Sequence, residues 1–474
     1  MSSENAGAHT RAAADGKRPS VLDRILRLFA DVQPGEGVTA ILLMLNIFLI
    51  LASYYLLKTI REPLVLTVPG GAEVKSYSSA AIAALLIVLV PVYSALASRV
   101  SRVKLINGVT LFFILCLVAF FFLNQSGVPI GVAFFIWVGI FNLMVIAQIW
   151  AFANDVYTVE QGKRLFAIVG VGASLGAIAG SFFTGKLVEQ LGPYPFMLAA
   201  AGLLGVTMLL TNVINLREKR AAEGSTLTSG DRAEREGAPA AAEVDSKDEG
   251  KDASNDGRVR GRSGFALVLS DRYLILIAAL MLLVNVVNTT GEYILSKTVV
   301  DVYTGEAAGA QVDEKKVIGE FYGNYFTVVN ILAALIQAFV VSRAIKFLGV
   351  RGSLLVLPMV SLLGYLSMAF IPVLQLIRSA KIAENSIDYS LQNTSRNALY
   401  LPTSREAKYK AKQANDTFFV RMGDLASAGL VFAGTTWLAF TRREFALVAV
   451  ALVLVWLTIA LILGKRFQQL AHSK

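Results

Sequence analysis

Lys381, Glu384, Asn385 and Asp388 recur at i, i+3, i+4 and i+7 in a segment flanked by apolar residues. On an α-helix that spacing places all four on one face. Arg378 precedes the stripe, and Gln392 and Asn393 follow it. An ionisable group at the centre of a membrane span costs about 2.5–3.5 kcal/mol and normally faces a partner or a water-filled path. The stripe therefore has two readings: the lining of a polar path, or an internal ion-pair set that fixes helix packing. Its length exceeds what packing requires.

A second set of charges closes two other apolar runs. Lys58 and Arg61, followed by Glu62 and Pro63, end the first, and Glu292 and Lys297 end another. A guanidinium holds a phosphate in a bidentate fork, and an ammonium holds it as a point charge. The same side chains also snorkel at membrane edges. Lys58 lies about ten residues beyond the expected mid-helix, roughly 15 Å from the midplane. Anion binding and edge anchoring both remain open on these residues alone. Tyr54, Tyr55, Tyr293, Tyr322 and Tyr325 could stack a nucleobase or form an interfacial aromatic belt. Gly172, Gly176 and Gly180, four apart, allow close helix contact. No Lys-Ser/Thr pair follows them, so they do not make a phosphate loop.

Other chemistries find no support. The single cysteine, Cys116, sits in an apolar run, and the two histidines, His9 and His472, lie near the ends. No nucleophile–base pair or metal-ligand set appears, so neither an enzyme nor a cofactor is expected.

These residues must be positioned by membrane helices. The chain has 474 residues, 55% hydrophobic and 16% charged, against roughly 25% charged in soluble domains. Apolar runs of about 20 residues, enough to cross a bilayer, are expected at 38–60, 76–97, 105–123, 129–153, 164–188 and 195–215. A second set is expected at 270–296, 319–342, 349–372, 373–396, 416–440 and 444–464. The expected fold is thus an all-α membrane protein of about twelve spans in two six-helix halves, 37–216 and 266–467. Residues 1–36 form a polar N-terminal segment without a signal peptide's pattern, in which 21–30 reads as a short interfacial helix. Residues 217–265 are almost free of large apolar side chains and read as a disordered linker. Residues 468–474 form a tail.

The net charge of +10 lies largely in short loops rather than on a nucleic-acid-binding face. With the N-terminus cytoplasmic, Arg99, Arg102, Lys104, Lys163, Arg164, the linker, Arg343, Lys346, Arg351 and Lys465 all fall inside. The loop 124–128 is then outside and uncharged, and 301–320 is outside and net acidic. Both termini are expected in the cytoplasm, in a multi-pass cell (inner) membrane protein. The halves look like repeats: Tyr54-Tyr55-Leu56-Leu57-Lys58-Thr59 matches Tyr293-Ile294-Leu295-Ser296-Lys297-Thr298. Two halves of like orientation form the major-facilitator architecture. Ser94 to Lys104 resembles that superfamily's loop 2–3 signature, with Ser98 where an Asp is usual.

Several segments resemble the ATP/ADP translocases of plastids and obligate intracellular bacteria. Arg61-Glu62-Pro63-Leu64-Val65, running on to Gly70, Gly71 and Glu73, resembles that family's Lys-Asp-Thr-Leu-Val segment, with Arg for Lys and Pro for Thr. Trp150 to Asp155, Lys163 to Gly170, and Phe321 to Thr327 are similar to its later segments. The longest likeness is Asn397 to Pro402, then Ser404 to Lys412 and on to Asp416. The resemblance spans both halves and implies exchange of phosphorylated nucleotides, ATP for ADP in the family. It implies substrate contacts at Lys58 or Arg61, at Glu292 and Lys297, and among Lys408, Lys410 and Lys412. It also implies an acidic position at Glu160, or at Gln161 in a frame one residue along. The expected partners are a nucleotide and the lipid bilayer, and the oligomeric state stays open. A porter of another solute, proton-coupled through Glu384 or Asp388, is one alternative. A receptor or scaffold acting through the linker is another.

Overall fold

The computed structural model describes residues 21–27, 31–97, 99–235, 264–304, 313–404 and 406–472. The first half holds α1 (Val21–Leu26), α2 (Gly37–Leu66), α3 (Gly71–Ala97), α4 (Arg102–Gln125), α5 (Gly131–Val156), α6 (Val159–Leu191) and α7 (Pro195–Arg235). The second half holds α8 (Gly264–Ser270), α9 (Arg272–Tyr303), α10 (Glu314–Leu335), α11 (Val341–Phe370), α12 (Leu374–Ile387), α13 (Asn393–Ala398), α14 (Lys412–Ala414), α15 (Val420–Thr436) and α16 (Arg442–His472). Among the described residues, nine stretches are long and apolar enough to cross a membrane. One of them, Glu314–Phe370, contains two crossings that meet at Gly349, where φ is 66° and the helix breaks. The polar stretches 374–398 and 406–436 complete twelve.

Among the described residues, four π turns interrupt the second half, at Ile336–Val340, Asp388–Gln392, Ala407–Ala411 and Asn415–Phe419. Wide turns of this kind are frequent at functional sites.

Helix boundaries depart from the sequence expectation where charges are paired. The first span runs through Pro63 to Leu66 rather than stopping at 60. Thr67 closes it, its Oγ1 donating to the Pro63 carbonyl at 2.8 Å. Gly70, at φ 65°, supplies the left-handed turn, and α3 starts at Gly71 rather than 76. Residues 61–66 and 71–75, expected in a loop, are therefore helical. The sixth span continues past 215 to Arg235, so the first part of the expected 217–265 linker is helix; 236–263 lie outside the described residues. The eleventh span ends at Thr436, and helical turns precede its core back to Glu406.

The expected interfacial helix at 21–30 appears as α1, and 28–30 lie outside the described residues. Rather than standing alone, α1 caps the first span. Buried Asp23 accepts from the Gly37 amide at 3.1 Å and the Gly35 amide at 3.3 Å, satisfying donors that a helix start leaves free. Glu36 accepts from Arg164 at 3.0 and 3.1 Å and from Gln161 at 3.1 Å, joining the starts of α2 and α6. Burial pushes the Glu36 carboxyl pKa up, but these bonds, Arg164 foremost, outweigh it and hold the group below its ordinary value.

Close packing inside the first half uses glycine. Cβ atoms at Gly172, Gly176 and Gly180 would collide with the α2 carbonyls of Met44, Phe48 and Ala52, so α6 lies directly on the α2 backbone. The two halves meet through α10 against α6 and α2, and through α3 against α9 and α15. Gly323 of α10 touches the Gly185 backbone of α6, and Gly319 faces Val188. Lys315 donates to the Tyr194 hydroxyl at 2.8 Å. These contacts all lie toward the end away from the termini, called here the far face. On the termini side of them the halves enclose a cavity.

Candidate functional site

The site grows out of the far end of α2. Positions 54, 55, 58, 61 and 62 share one helix face, which points between the halves. Lys58 is only 8% exposed. Its Nζ lies 4.4 Å from the Phe326 ring centroid, 5.0 Å from Tyr55, 5.8 Å from Tyr389 and 6.0 Å from Tyr54. Among the described residues no carboxylate lies within ion-pair distance of it. Edge anchoring, one of the two sequence readings of Lys58, does not hold: α2 continues two turns beyond, and the ammonium is buried among rings. Arg61, one turn on, stacks over Phe135 at 4.4 Å and spends its Nε on Glu62 at 3.1 Å.

Glu62, almost fully buried, also pairs with Lys75 of α3 at 2.7 Å. Lys75 donates to Ser296 of α9 at 2.9 Å and lies 4.0 Å from Glu292, so it crosses between the halves. Glu292 sits at the centre. It accepts from Asn385 at 2.9 Å and Tyr325 at 3.3 Å, and lies 3.8 Å from Lys381. Lys381 is fully buried and donates to Glu384 at 2.6 Å and to the Asn288 side chain and carbonyl at 2.6 and 3.2 Å. Ser361 donates to Glu384 at 3.0 Å, and the Tyr365 hydroxyl lies 3.2 Å from both its oxygens. Buried charges survive in this way, by pairing and saturating each other's bonds.

Lys58, Arg61, Glu292, Lys381, Glu384 and Asn385, expected from sequence, thus come together. Asp388 does not join them. It keeps the i, i+7 position at the end of α12, where the π turn at 388–392 begins, but lines neither central cavity, and its Oδ1 is buried with no hydrogen-bond partner among the described residues. Lys297 lies on the rim, paired with Glu73 at 2.9 Å, and Tyr293 donates to the same carboxylate oxygen at 2.9 Å. Glu160 is exposed in the first turn of α6. Lys408 is exposed on the 407–411 turn and Lys412 is half-buried beside it. None of these last three lines the central cavities. Sequence reasoning missed Lys75, Asn288, Tyr365 and Tyr389. The signal for Lys75 was present: Arg61-Glu62 and Glu73-x-Lys75 flank one Pro-Gly-Gly turn.

Two cavities meet at Lys58 and Tyr389. The smaller, about 160 Å³, is charged and is lined by Lys58, Arg61, Glu62, Lys75 and Glu292. The larger, about 430 Å³, opens toward the termini and is lined by tyrosines, Asn142, Ser174, Asn330 and Gln337. A further cavity of about 640 Å³, bounded by Leu64, Tyr194 and Asp313, lies at the far face away from the charge cluster.

A charge cluster held between two six-helix halves is the arrangement of an alternating-access carrier. Residues 37–382 match the Major Facilitator Superfamily, and the chain belongs to that superfamily of membrane transporters. It is 21% identical to ADP,ATP carrier protein 1 of Chlamydia pneumoniae over 356 residues, a match that covers 69% of this chain and 65% of that relative's length. Its fold is similar to that of a POT family transporter in complex with 5-aminolevulinic acid (TM-score 0.60, 12% identity, 91% of this chain and 96% of that one). It is also similar to the nucleoside transporter NupG (TM-score 0.58, 12% identity, 91% and 98%). A bacterial homologue of the iron transporter ferroportin, in an inward-facing state, is a third (TM-score 0.58, 14% identity, 90% and 98%).

Proposed function

We propose that this transporter exchanges phosphorylated nucleotides across the membrane. One observation carries the reading: Lys58 and Arg61 hold free cationic donors in the charged cavity, which meets the larger cavity of tyrosines and amides at Lys58. Phosphate would sit against the ammonium and the guanidinium fork. The base would lie among Tyr54, Tyr55 and Tyr389, with Asn142, Asn330 and Gln337 in reach of its polar edges. The likeness to the chlamydial carrier supports the same substrate class. Exchange, rather than net uptake, follows from burial. An empty site would pass through an occluded state with Lys58 uncompensated, whereas a loaded one would not. The termini and basic loops would face the cytoplasm, as positive charge near membrane ends dictates.

The test is uptake of labelled nucleotide into proteoliposomes loaded with unlabelled nucleotide. Uptake that requires internal nucleotide supports exchange. Uptake that ignores it but follows a proton gradient would move the assignment to a proton-coupled porter. Asp388, with its unpartnered buried oxygen, is the observation favouring that second reading. Glu384 is not, because Lys381, Ser361 and Tyr365 already satisfy it.

A further inference from the structure

The donors left free in the cluster set how much negative charge the ligand can bring. An ammonium has three donors and a guanidinium five. Lys381 has three acceptors in place, two from Asn288 and one from Glu384. Lys75 is held by Glu62 and Ser296, with Glu292 at 4.0 Å. Lys297, paired with Glu73, and Arg421, paired with Asp424 at 3.0 Å, line neither central cavity. Among the described residues of the cavity, that leaves Lys58, which meets only ring faces, and Arg61, which uses Nε alone. The two lie one helical turn apart on α2 and line the same small cavity.

The charge balance agrees. Lys58, Arg61, Lys75 and Lys381 face Glu62, Glu292 and Glu384, an excess of one positive charge, and Asp388 stands outside the cluster. A phosphomonoester carries about −1.5 to −2, which the two free cations can balance. Each further phosphate adds negative charge beside Glu62 and Glu292, whose neighbouring lysines are already paired, and burial makes an unpaired charge costly. The space agrees as well, since the charged cavity is about 160 Å³ and the larger one holds no other cation in its lining.

We infer that Lys58 and Arg61 form a cradle for a single phosphate, so that the site prefers a nucleoside monophosphate to the corresponding di- or triphosphate. This rests on the nucleotide-exchange reading above and narrows it. The charge of the site, and not its family likeness, carries the narrowing.

Affinities of AMP, ADP, ATP, adenosine and inorganic phosphate should be measured on the purified full-length protein at fixed ionic strength. AMP is expected to bind at least about tenfold more tightly than ATP, a difference of about 1.4 kcal/mol. Lys58→Gln and Arg61→Gln should each weaken AMP about tenfold or more and adenosine by a much smaller factor. Glu62→Gln, which frees donors on both Arg61 and Lys75, should shift preference toward ADP. If that variant does not fold, the wild-type ranking decides alone. ATP binding more tightly than AMP overturns the single-phosphate cradle and leaves nucleotide exchange standing. Inorganic phosphate binding as tightly as AMP overturns the nucleoside part of the inference. No affinity for any nucleotide overturns both this inference and the exchange reading.

Discussion

Closure at the far face depends on two glycines, and this can be used to move the carrier between its states. A Cβ built on Gly185 would lie 3.0 Å from the Gly323 carbonyl carbon and 3.1 Å from the Asn324 nitrogen; one on Gly323 would strike the Gly185 backbone. The obstructing atoms are backbone, which cannot rotate away. Overpacking of this kind costs about 1–3 kcal/mol. The cost falls only on the conformation in which α6 and α10 touch, because alternating access separates the halves here when the far face opens. Gly323→Ala should therefore shift the balance toward the far-open state by roughly 5- to 150-fold. Ser79, which lines the small charged cavity, offers a reporter. In a Cys116→Ala background, Ser79→Cys should react with an impermeant maleimide added at the far face several times faster when Gly323→Ala or Gly185→Ala is present. Gly202→Ala, whose Cβ would meet no atom within 4 Å, is the control and should change nothing. Unchanged labelling in both glycine variants would refute the argument that this contact holds the far face shut.

Four further outcomes follow from the same geometry. Lys297→Gln should change nucleotide affinity less than Lys58→Gln in a binding assay, because Lys297 already has Glu73 and its side chain is 37% exposed, a setting where ion pairs are worth at most about 1 kcal/mol. Glu384→Gln should lower thermal stability by about 3–5 kcal/mol, since it strands buried Lys381, whereas Asp388→Asn should leave the melting temperature near wild type. The Glu36–Arg164 contact should stabilise the protein at neutral pH and lose its effect as pH falls through the lowered Glu36 pKa, so the melting difference between wild type and Glu36→Gln should shrink on acidification. Ser225→Cys and Ser126→Cys, each without Cys116, should label from opposite sides of the membrane; labelling of both from the same side would refute the proposed topology.

Hydropathy made most spans legible because a bilayer demands about 20 apolar residues of every helix. It failed where charge is neutralised inside the protein. Arg61, Glu62, Glu73 and Lys75 pushed the first two spans apart on paper. In the structure the Glu62–Lys75 and Glu73–Lys297 pairs let both helices continue inward. Pairing partners distant along the chain leave no local periodicity. The polar stripe was legible as far as Asn385, since Lys381, Glu384 and Asn385 obey the α-helical repeat. Asp388 obeys it too yet stands outside the cluster, since spacing places a residue on a face without supplying a partner there. The end of α7 was missed for a different reason. Residues 217–235 are poor in large apolar groups, yet rich in Ala, Glu and Arg, which favour helix when the preceding turns are already formed.

The four π turns all fall in the second half of the chain, and among the described residues the first half has none. A π turn widens the helix and misaligns the ladder of backbone hydrogen bonds, so a helix bends there more readily than along a regular stretch. The two repeats, alike in helix number and order, therefore differ in compliance. In the first half α6 is pressed onto the α2 backbone and, among the described residues, has no such turn at which to bend. The second can flex at 336–340 and 388–392, the latter carrying Tyr389 beside Lys58. Elastic deformation in the working cycle is then borne unequally, and the half that bends is the one that brings its aromatic wall to the stationary cation.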